Sequence, residues 1–203
     1  MAAAPVSTTA GALAALLPKP VAAREAAVLR ADWVQTPLGA IVAVADAHAL
    51  HVLEFADRKG LQAELRALHR AYDGGLGLGR FPAIEQVERE LAAYFTGESP
   101  HFETPLRAWG TAFTRSVWAA LRTIPAGETR SYGELAQRLG RPDAVRAVAR
   151  ANGANQLAIL IPCHRVIGGN GQLRGYAGGL ARKRWLLEHE AAHWLFGAPE
   201  APA

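Results

Sequence analysis

The 203-residue chain has one cysteine, Cys163, so it can form no internal disulfide and cannot supply a thiolate-rich zinc site. That scarcity points to a reducing compartment and a free thiol, and a cytoplasmic location is expected. No apolar run approaches the roughly 20 residues that a membrane-spanning helix needs, so no membrane partner is expected. Metal-binding spacings are lacking too: none of the seven histidines stands in HExxH, and His48 with His51 is only a pair. We expect no metal and no cofactor. The Ala-rich start, "MAAAPVSTTAGALAALLPKPVAAR", lacks the positively charged first segment of a signal peptide. Residues 1–30 therefore read as a disordered tail, and 197–203 as a second one.

Acidic residues are scarce in the second half. From Arg107 to Glu190 there are 13 Lys/Arg against 5 Asp/Glu, a net of +8, which leaves −4 for the rest of a chain whose total is +4. A basic half joined to a mildly acidic one suggests that one part meets a polyanion, although a solvated arginine-rich face would look the same. With 50% hydrophobic and 20% charged residues, the composition is that of an ordinary globular protein.

The pattern predicts two domains, 31–105 and 106–196. In the first, "DWVQTPLGAIVAVADAHALHVLEF" alternates apolar stretches with turn signals, as about three antiparallel strands would. A helix follows with Leu61, Leu65 and Leu68 on one face, ended by a loop at "DGGLGLG". Ile84, Val87, Leu91 and Phe95 mark the next amphipathic helix, and "SPHFETPLRAWG" reads as a linker.

The second domain begins with a helix carrying Phe113, Val117, Trp118 and Leu121. Ser131 and Glu134 then form a capping box, Gly140 ends that helix, and Pro142 opens another that Gly153 can close. Two short helices joined by a tight turn make a helix-turn-helix candidate. On the second helix Val145, Val148 and Asn152 can face inward. Ala144, Ala147 and Ala151 form a face without bulk, bordered by Arg146 and Arg150. Such a face can approach a phosphate backbone closely, although alanine is also simply the best helix former. The fold class is therefore α/β (α+β): a small N-terminal domain with an antiparallel sheet and helices, then a mainly helical, winged-helix-like domain.

"LAILIP" reads as a buried strand that Pro162 must end just before Cys163. A thiol there, with His164 beside it, can be a nucleophile with its base, or a small buried hydrophobe. Downstream, "GGNGQLRGYAGGLARKRWLLEHE" gives a glycine loop and an amphipathic helix on which Leu187 and Ala191 are expected to face inward. Glu190 can point the same way, as a carboxylate that orients the histidine, or sit in the solvated "EHE" cluster.

"RAV" at 146–148, "ANGAN" at 151–155, "IPCHRV" at 161–166, "GYAGGL" at 175–180 and "LLEHE" at 186–190 together resemble the O6-alkylguanine-DNA alkyltransferases, with "TPLG" and "YFTGE" matching that family's first domain more loosely. The resemblance implies direct-reversal repair of O6-alkylguanine in double-stranded DNA and leaves open whether O4-alkylthymine is repaired too; a monomer is expected. Cys163 would accept the alkyl group, activated by His164 through a water and oriented by Glu190. Tyr132 would hydrogen-bond N3 of the flipped base, and Asn155 would hold the turn. The carbonyls of Cys163 and Val166 would accept from the exocyclic amine, the amide of Ala177 would donate to O6, and Tyr176 would line the pocket. Arg146 would fill the gap left in the duplex, with Ala147, Arg150 and Ala151 along the groove. A lesion-binding relative without transfer, a helix-turn-helix regulator and a cysteine hydrolase are the rival readings.

Overall fold

The computed structural model describes residues 8–18, 28–73 and 75–194, and the chain divides into two compact units. One comprises residues up to 92 together with 102–108. The other comprises 93–101 and 109 onward.

The first unit is built on a four-stranded sheet of β1 (Leu29–Val34), β2 (Ile41–Ala45), β3 (Leu50–Phe55) and β4 (Leu76–Leu78), in the order β3-β2-β1-β4. β1–β2 and β2–β3 are antiparallel as the alternation predicts, while β4 runs parallel to β1. β4 lies in "DGGLGLG", where a loop is expected from the glycines. Leu76 is fully buried, and the Leu29 amide donates to the Gly75 carbonyl at 2.7 Å, so the open edge of β1 captures the segment. α2 (Leu61–Ala71) lays Leu61, Leu65 and Leu68 into the core.

The expected tail is corrected as well. α1 (Ala10–Leu16) is capped by Thr9 and buries Leu13, with Leu17 just beyond it, in the same core. The Trp33 indole also donates to the Thr9 carbonyl at 3.2 Å. Two leucines four residues apart gain about 1.5–3 kcal/mol each by burial, enough to order a short alanine-rich helix on a sheet. Residues 1–7 and 19–27 of that expected tail, and the second tail at 197–203, lie outside the described residues.

α3 (Pro82–Thr96) buries Ile84, Val87 and Leu91 as its period predicts. Tyr94, three residues after Leu91, is also buried, and Phe95 is only half-buried. The division between the units falls inside this helix, after Ala92. Part of the expected linker returns to the first unit. The Leu50 amide donates to the Pro105 carbonyl and Arg107 donates back to Leu50, each at 2.8 Å. The Glu90 carboxylate accepts from the Thr104 hydroxyl at 2.6 Å and from the Glu103 amide at 3.0 Å.

In the second unit α4 (Ala112–Leu121) packs on a helix-turn-helix made of α5 (Tyr132–Arg138) and α6 (Val145–Gly153), with a 3-10 turn at Pro142–Ala144 between them. The capping box at Ser131 and Glu134 is formed, and Gly140 takes φ +67° in the turn, a conformation that glycine adopts without strain. Two-residue strands β5 (Arg130–Ser131) and β6 (Val166–Ile167) pair in parallel. The unit ends with α7 (Leu180–Trp194). Among the described residues no helix is long and apolar enough to cross a membrane.

Candidate active site

"LAILIP" is not a strand. Residues 156–162 form a buried turn in which Ile159 takes φ +72°, and the side chain of Asn155 replaces the ladder hydrogen bonds that a strand would make. Its Oδ1 accepts from the Leu157 amide at 3.0 Å, and its Nδ2 donates to the Ile161 carbonyl at 2.8 Å. The same Nδ2 lies 3.2 Å from Cys163 Sγ. One amide thus folds the turn and points a donor at the sulfur, which favours the thiolate charge.

Cys163, His164 and Arg165 form a 3-10 turn directly before β6, and all three are buried. Cys163 is 6% exposed and is not in a disulfide. Its carbonyl accepts from Asn152 Nδ2 at 3.3 Å and from the Val166 amide. A guanine amine directed at that carbonyl would therefore compete with two donors already in place.

His164 is fully buried, with Nε2 2.9 Å from Glu190 Oε1. Burial pushes its pKa below the ordinary value, against the pull of Glu190, and Arg165 and Lys183 push the same way as burial. An ionised carboxylate only accepts, so Nε2 carries the proton and Nδ1 is left as the acceptor. Nδ1 is buried and has no hydrogen-bond partner among the described residues. A neutral imidazole with one open nitrogen, next in sequence to a cysteine, has the form of a general base.

Glu190 reaches this site from α7, as the spacing suggests, but its helix face differs from the expected one. The buried positions are Lys183, Leu186, Glu190 and Trp194, while Leu187 is half-buried and Ala191 exposed. Oε2 accepts from Arg165 Nε at 2.8 Å and from the Gly127 amide at 3.3 Å. Oε1 accepts from Arg165 Nη2 at 2.8 Å and from the Tyr94 hydroxyl at 2.7 Å, as well as from His164. Burial alone would raise this carboxyl, but His164 and Arg165 together hold it far below the usual carboxylate range. It remains a charge at any working pH.

Lys183 is fully buried, donating to the Val166 carbonyl at 2.5 Å and to the Arg174 carbonyl at 2.7 Å. Burial lowers its pKa to about 8, and the nearby Cys163 acts the other way. Tyr132 Oη donates to the same Arg174 carbonyl at 3.3 Å, so two side chains pin the glycine loop that carries Tyr176 and Ala177. Burial raises the Tyr132 pKa, with Cys163 adding to it, and the phenol stays a donor.

A cleft of about 520 Å³ is lined by Tyr132, Val145, Arg146, Ala149, Arg174 and Tyr176, among others including Ala177. Tyr132, Arg146, Tyr176 and Ala177 thus meet at one cleft, from α5, α6 and the glycine loop, whereas Cys163 and Val166 are not among its lining residues. The helix face needs correction in two places. Ala151 is 5% exposed and its carbonyl accepts from the Trp118 indole at 2.8 Å, so it faces α4 and cannot lie along a groove. Val145, expected inward, is 37% exposed and lines the cleft. Arg146 and Arg150 are exposed and Ala147 half-buried.

Sequence alone assigns no role to Arg165, Lys183 or Tyr94, and places Asn152 only as an inward-facing position on its helix. Lys183 lies seven residues before Glu190, two helical turns away on the same face, and Tyr94 continues the period of Ile84, Val87 and Leu91. A buried glutamate also requires a cation, and the arginine of "IPCHRV" was the nearest one in sequence.

Residues 112–192 match the family model for the DNA-binding domain of 6-O-methylguanine DNA methyltransferase. The chain is 45% identical over 163 residues to methylated-DNA–protein-cysteine methyltransferase of Salmonella typhimurium, covering 78% of this chain and 94% of that one. The protein of the same name from Mycobacterium tuberculosis is 58% identical over 101 residues, 50% of this chain and 61% of the relative. The crystal structure of Mycobacterium tuberculosis OGT in complex with DNA superimposes with a TM-score of 0.69 at 39% identity, covering 85% of this chain and 95% of that one. That of Mycobacterium tuberculosis O6-methylguanine methyltransferase gives 0.68 at 39% identity, over 85% and 96%. The chain belongs to the methylated-DNA–protein-cysteine methyltransferase family.

Proposed function

We propose that this chain repairs O6-alkylguanine in duplex DNA by taking the alkyl group onto Cys163, once per molecule. The observation that carries the reading is the buried Glu190–His164 hydrogen bond at the residue next to Cys163, with His164 Nδ1 left as an acceptor and Asn155 Nδ2 on the sulfur. His164 takes the thiol proton at Nδ1 through a bridging water. The thiolate then attacks the alkyl carbon, a carbon–sulfur bond forms as the bond to O6 breaks, and the electron pair returns to the purine. Tyr132 gives its hydroxyl proton to N3, so that guanine leaves neutral, and the proton held by His164 returns to the phenolate through solvent. A thioether does not hydrolyse, and nothing in the sequence of steps restores the thiol.

A base inside the stack cannot reach a thiol that is 6% exposed, so the nucleotide must be turned out, at a cost of a few kcal/mol. Arg146, at the rim of the cleft, is suited to fill the vacated position, while Ala147 permits close approach and Arg150 offers a phosphate contact. Tyr176 and the Ala177 amide lie on the cleft wall, where they can meet the base. The Val166 carbonyl, which accepts from Lys183 Nζ, is the acceptor offered to the exocyclic amine. No second chain is needed to complete this constellation, and the protein acts as a monomer in the cytoplasm.

Mixing the protein with a duplex bearing O6-methylguanine is expected to add the mass of one methylene to the peptide containing Cys163, at one equivalent per protein. An unchanged peptide mass would sink the reading. Repeated turnover would favour a hydrolase, and Cys163→Ala is expected to lose transfer while retaining DNA binding.

A further inference from the structure

The Glu190 carboxylate carries more donors than a histidine-orienting residue requires. Arg165 engages both of its oxygens, which already balances its charge, and Oε1 receives the Tyr94 hydroxyl at 2.7 Å besides Arg165 and His164. Tyr94 comes from the last turns of α3, 96 residues away in sequence, and is fully buried. Its ring has separate work: it contacts Phe95, His189 and Trp194 at centroid distances of 5.3–5.4 Å. Ring and hydroxyl can therefore be tested apart.

We propose that Tyr94 is a positioning residue for alkyl transfer, its phenol holding Glu190 Oε1 and sharing that oxygen's charge, so that His164 keeps a neutral ring with Nδ1 as acceptor. The proposal rests on the reading of Cys163 as the acceptor thiol. The physical reason is competition for one oxygen. Each donor on Oε1 withdraws charge from it, and a carboxylate oxygen with fewer donors pulls harder on the imidazole proton. Removing the phenol thus favours imidazolium, which cannot accept the thiol proton. Burial, with the Glu190 charge beside it, drives the Tyr94 pKa well above the ordinary tyrosine value, so Tyr94 acts only as a donor here. The other groups facing His164 and its carboxylate are Arg165 in the same turn, Lys183 on α7, and Tyr176 of the glycine loop, whose ring lies edge-on to His164 at 6.4 Å. The cations oppose imidazolium, and Tyr94→Phe leaves both in place.

The test is single-turnover methyl transfer from an O6-methylguanine duplex between about pH 5 and pH 9, with the full-length protein. Tyr94→Phe is expected to move the acid limb of the rate profile to higher pH, lowering the rate about 3- to 10-fold near pH 6 and less than about 2-fold above pH 8. Tyr94→Leu also loses the ring contacts and melts earlier, but its acid limb should move as in Tyr94→Phe. Independently of transfer, the His164 ring resonances should titrate at higher pH in Tyr94→Phe than in the parent. A His164 midpoint that stays put, or a rate loss equal at all pH values, overturns the proposal and assigns Tyr94 to packing alone. If the parent protein gains no methyl group, the Cys163 reading fails first and takes this one with it, whereas a parent that transfers normally confines any failure to Tyr94.

Discussion

Each unit of the molecule contains a fully buried histidine against a carboxylate: His51 with Asp46 at 2.8 Å in the first, and His164 with Glu190 at 2.9 Å in the second. By distance and burial the two pairs are nearly the same, and burial lowers the histidine pKa in both. The difference lies in what surrounds them. Asp46 is also the cap of its own turn, accepting from the amides of His48 and Ala49 at 2.7 and 2.8 Å, and the His51 ring packs edge-on against Tyr72. Glu190 is held by Arg165, Tyr94 and the Gly127 amide, and its histidine adjoins the chain's one cysteine. A histidine–carboxylate pair is therefore no signature of catalysis by itself. The open ring nitrogen and the neighbouring nucleophile decide it.

The largest expected effect breaks this likeness directly. His164→Gln is expected to slow methyl transfer by about 10²- to 10⁴-fold, the usual range for loss of a general base, whereas His51→Gln should leave the rate within about 2-fold. Single-turnover rates on the same duplex check both. A comparable loss in His51→Gln would mean that the first unit takes part in the chemistry. Next in size is the effect of the neighbouring cations on stability. Arg165→Met leaves Glu190 buried without a cation and should cost about 3–5 kcal/mol in denaturant unfolding. Arg107 lies 3.7 Å from Asp46 but is more than half exposed, and Arg107→Met should leave stability nearly unchanged.

The second unit was the more legible from sequence, and the reasons are local. Ser131 with Glu134, Gly140 and Pro142 are short-range devices that mark helix ends wherever they occur, and all of them stand where expected. Cys163 and His164 are adjacent in the chain, so their proximity needed no fold to establish. What could not be read depends on tertiary structure. "LAILIP" has the composition of a strand, but the Asn155 side chain offers its backbone better partners as a turn. Ala151 has no property that separates a groove-facing alanine from one packed on α4, and only the Trp118 hydrogen bond distinguishes them. In the first unit, α1 and β4 are too short to be ordered by their own propensity, and both are stabilised by docking on the sheet, a tertiary contact that local sequence does not display. Tyr94 is hidden for the opposite reason: the helix is legible, but its apolar period points to Phe95 as the inward position where the fold buries Tyr94.

The smallest effect is a test of what the two pairs share. Both histidines have folded-state pKa values below the ordinary value of 6.5, so the unfolded chain takes up protons before the folded one as pH falls. The stability that each contributes is complete above about pH 6.5 and declines below it, until the depressed folded pKa is passed. Asp46 and Glu190 are also depressed, and their contribution begins to be lost only as pH falls into the ordinary carboxylate range, where the unfolded chain takes up the proton. Melting temperature should therefore fall from about pH 7 to pH 5, at roughly 2–4 °C per kcal/mol for a chain of this size, before the steeper acid loss begins. His51→Gln should remove part of the first decline and leave the remainder, and His164→Gln should do the same from the other unit. If one variant removes the whole decline, only that pair is held neutral by burial, and the likeness between the two is geometric rather than electrostatic.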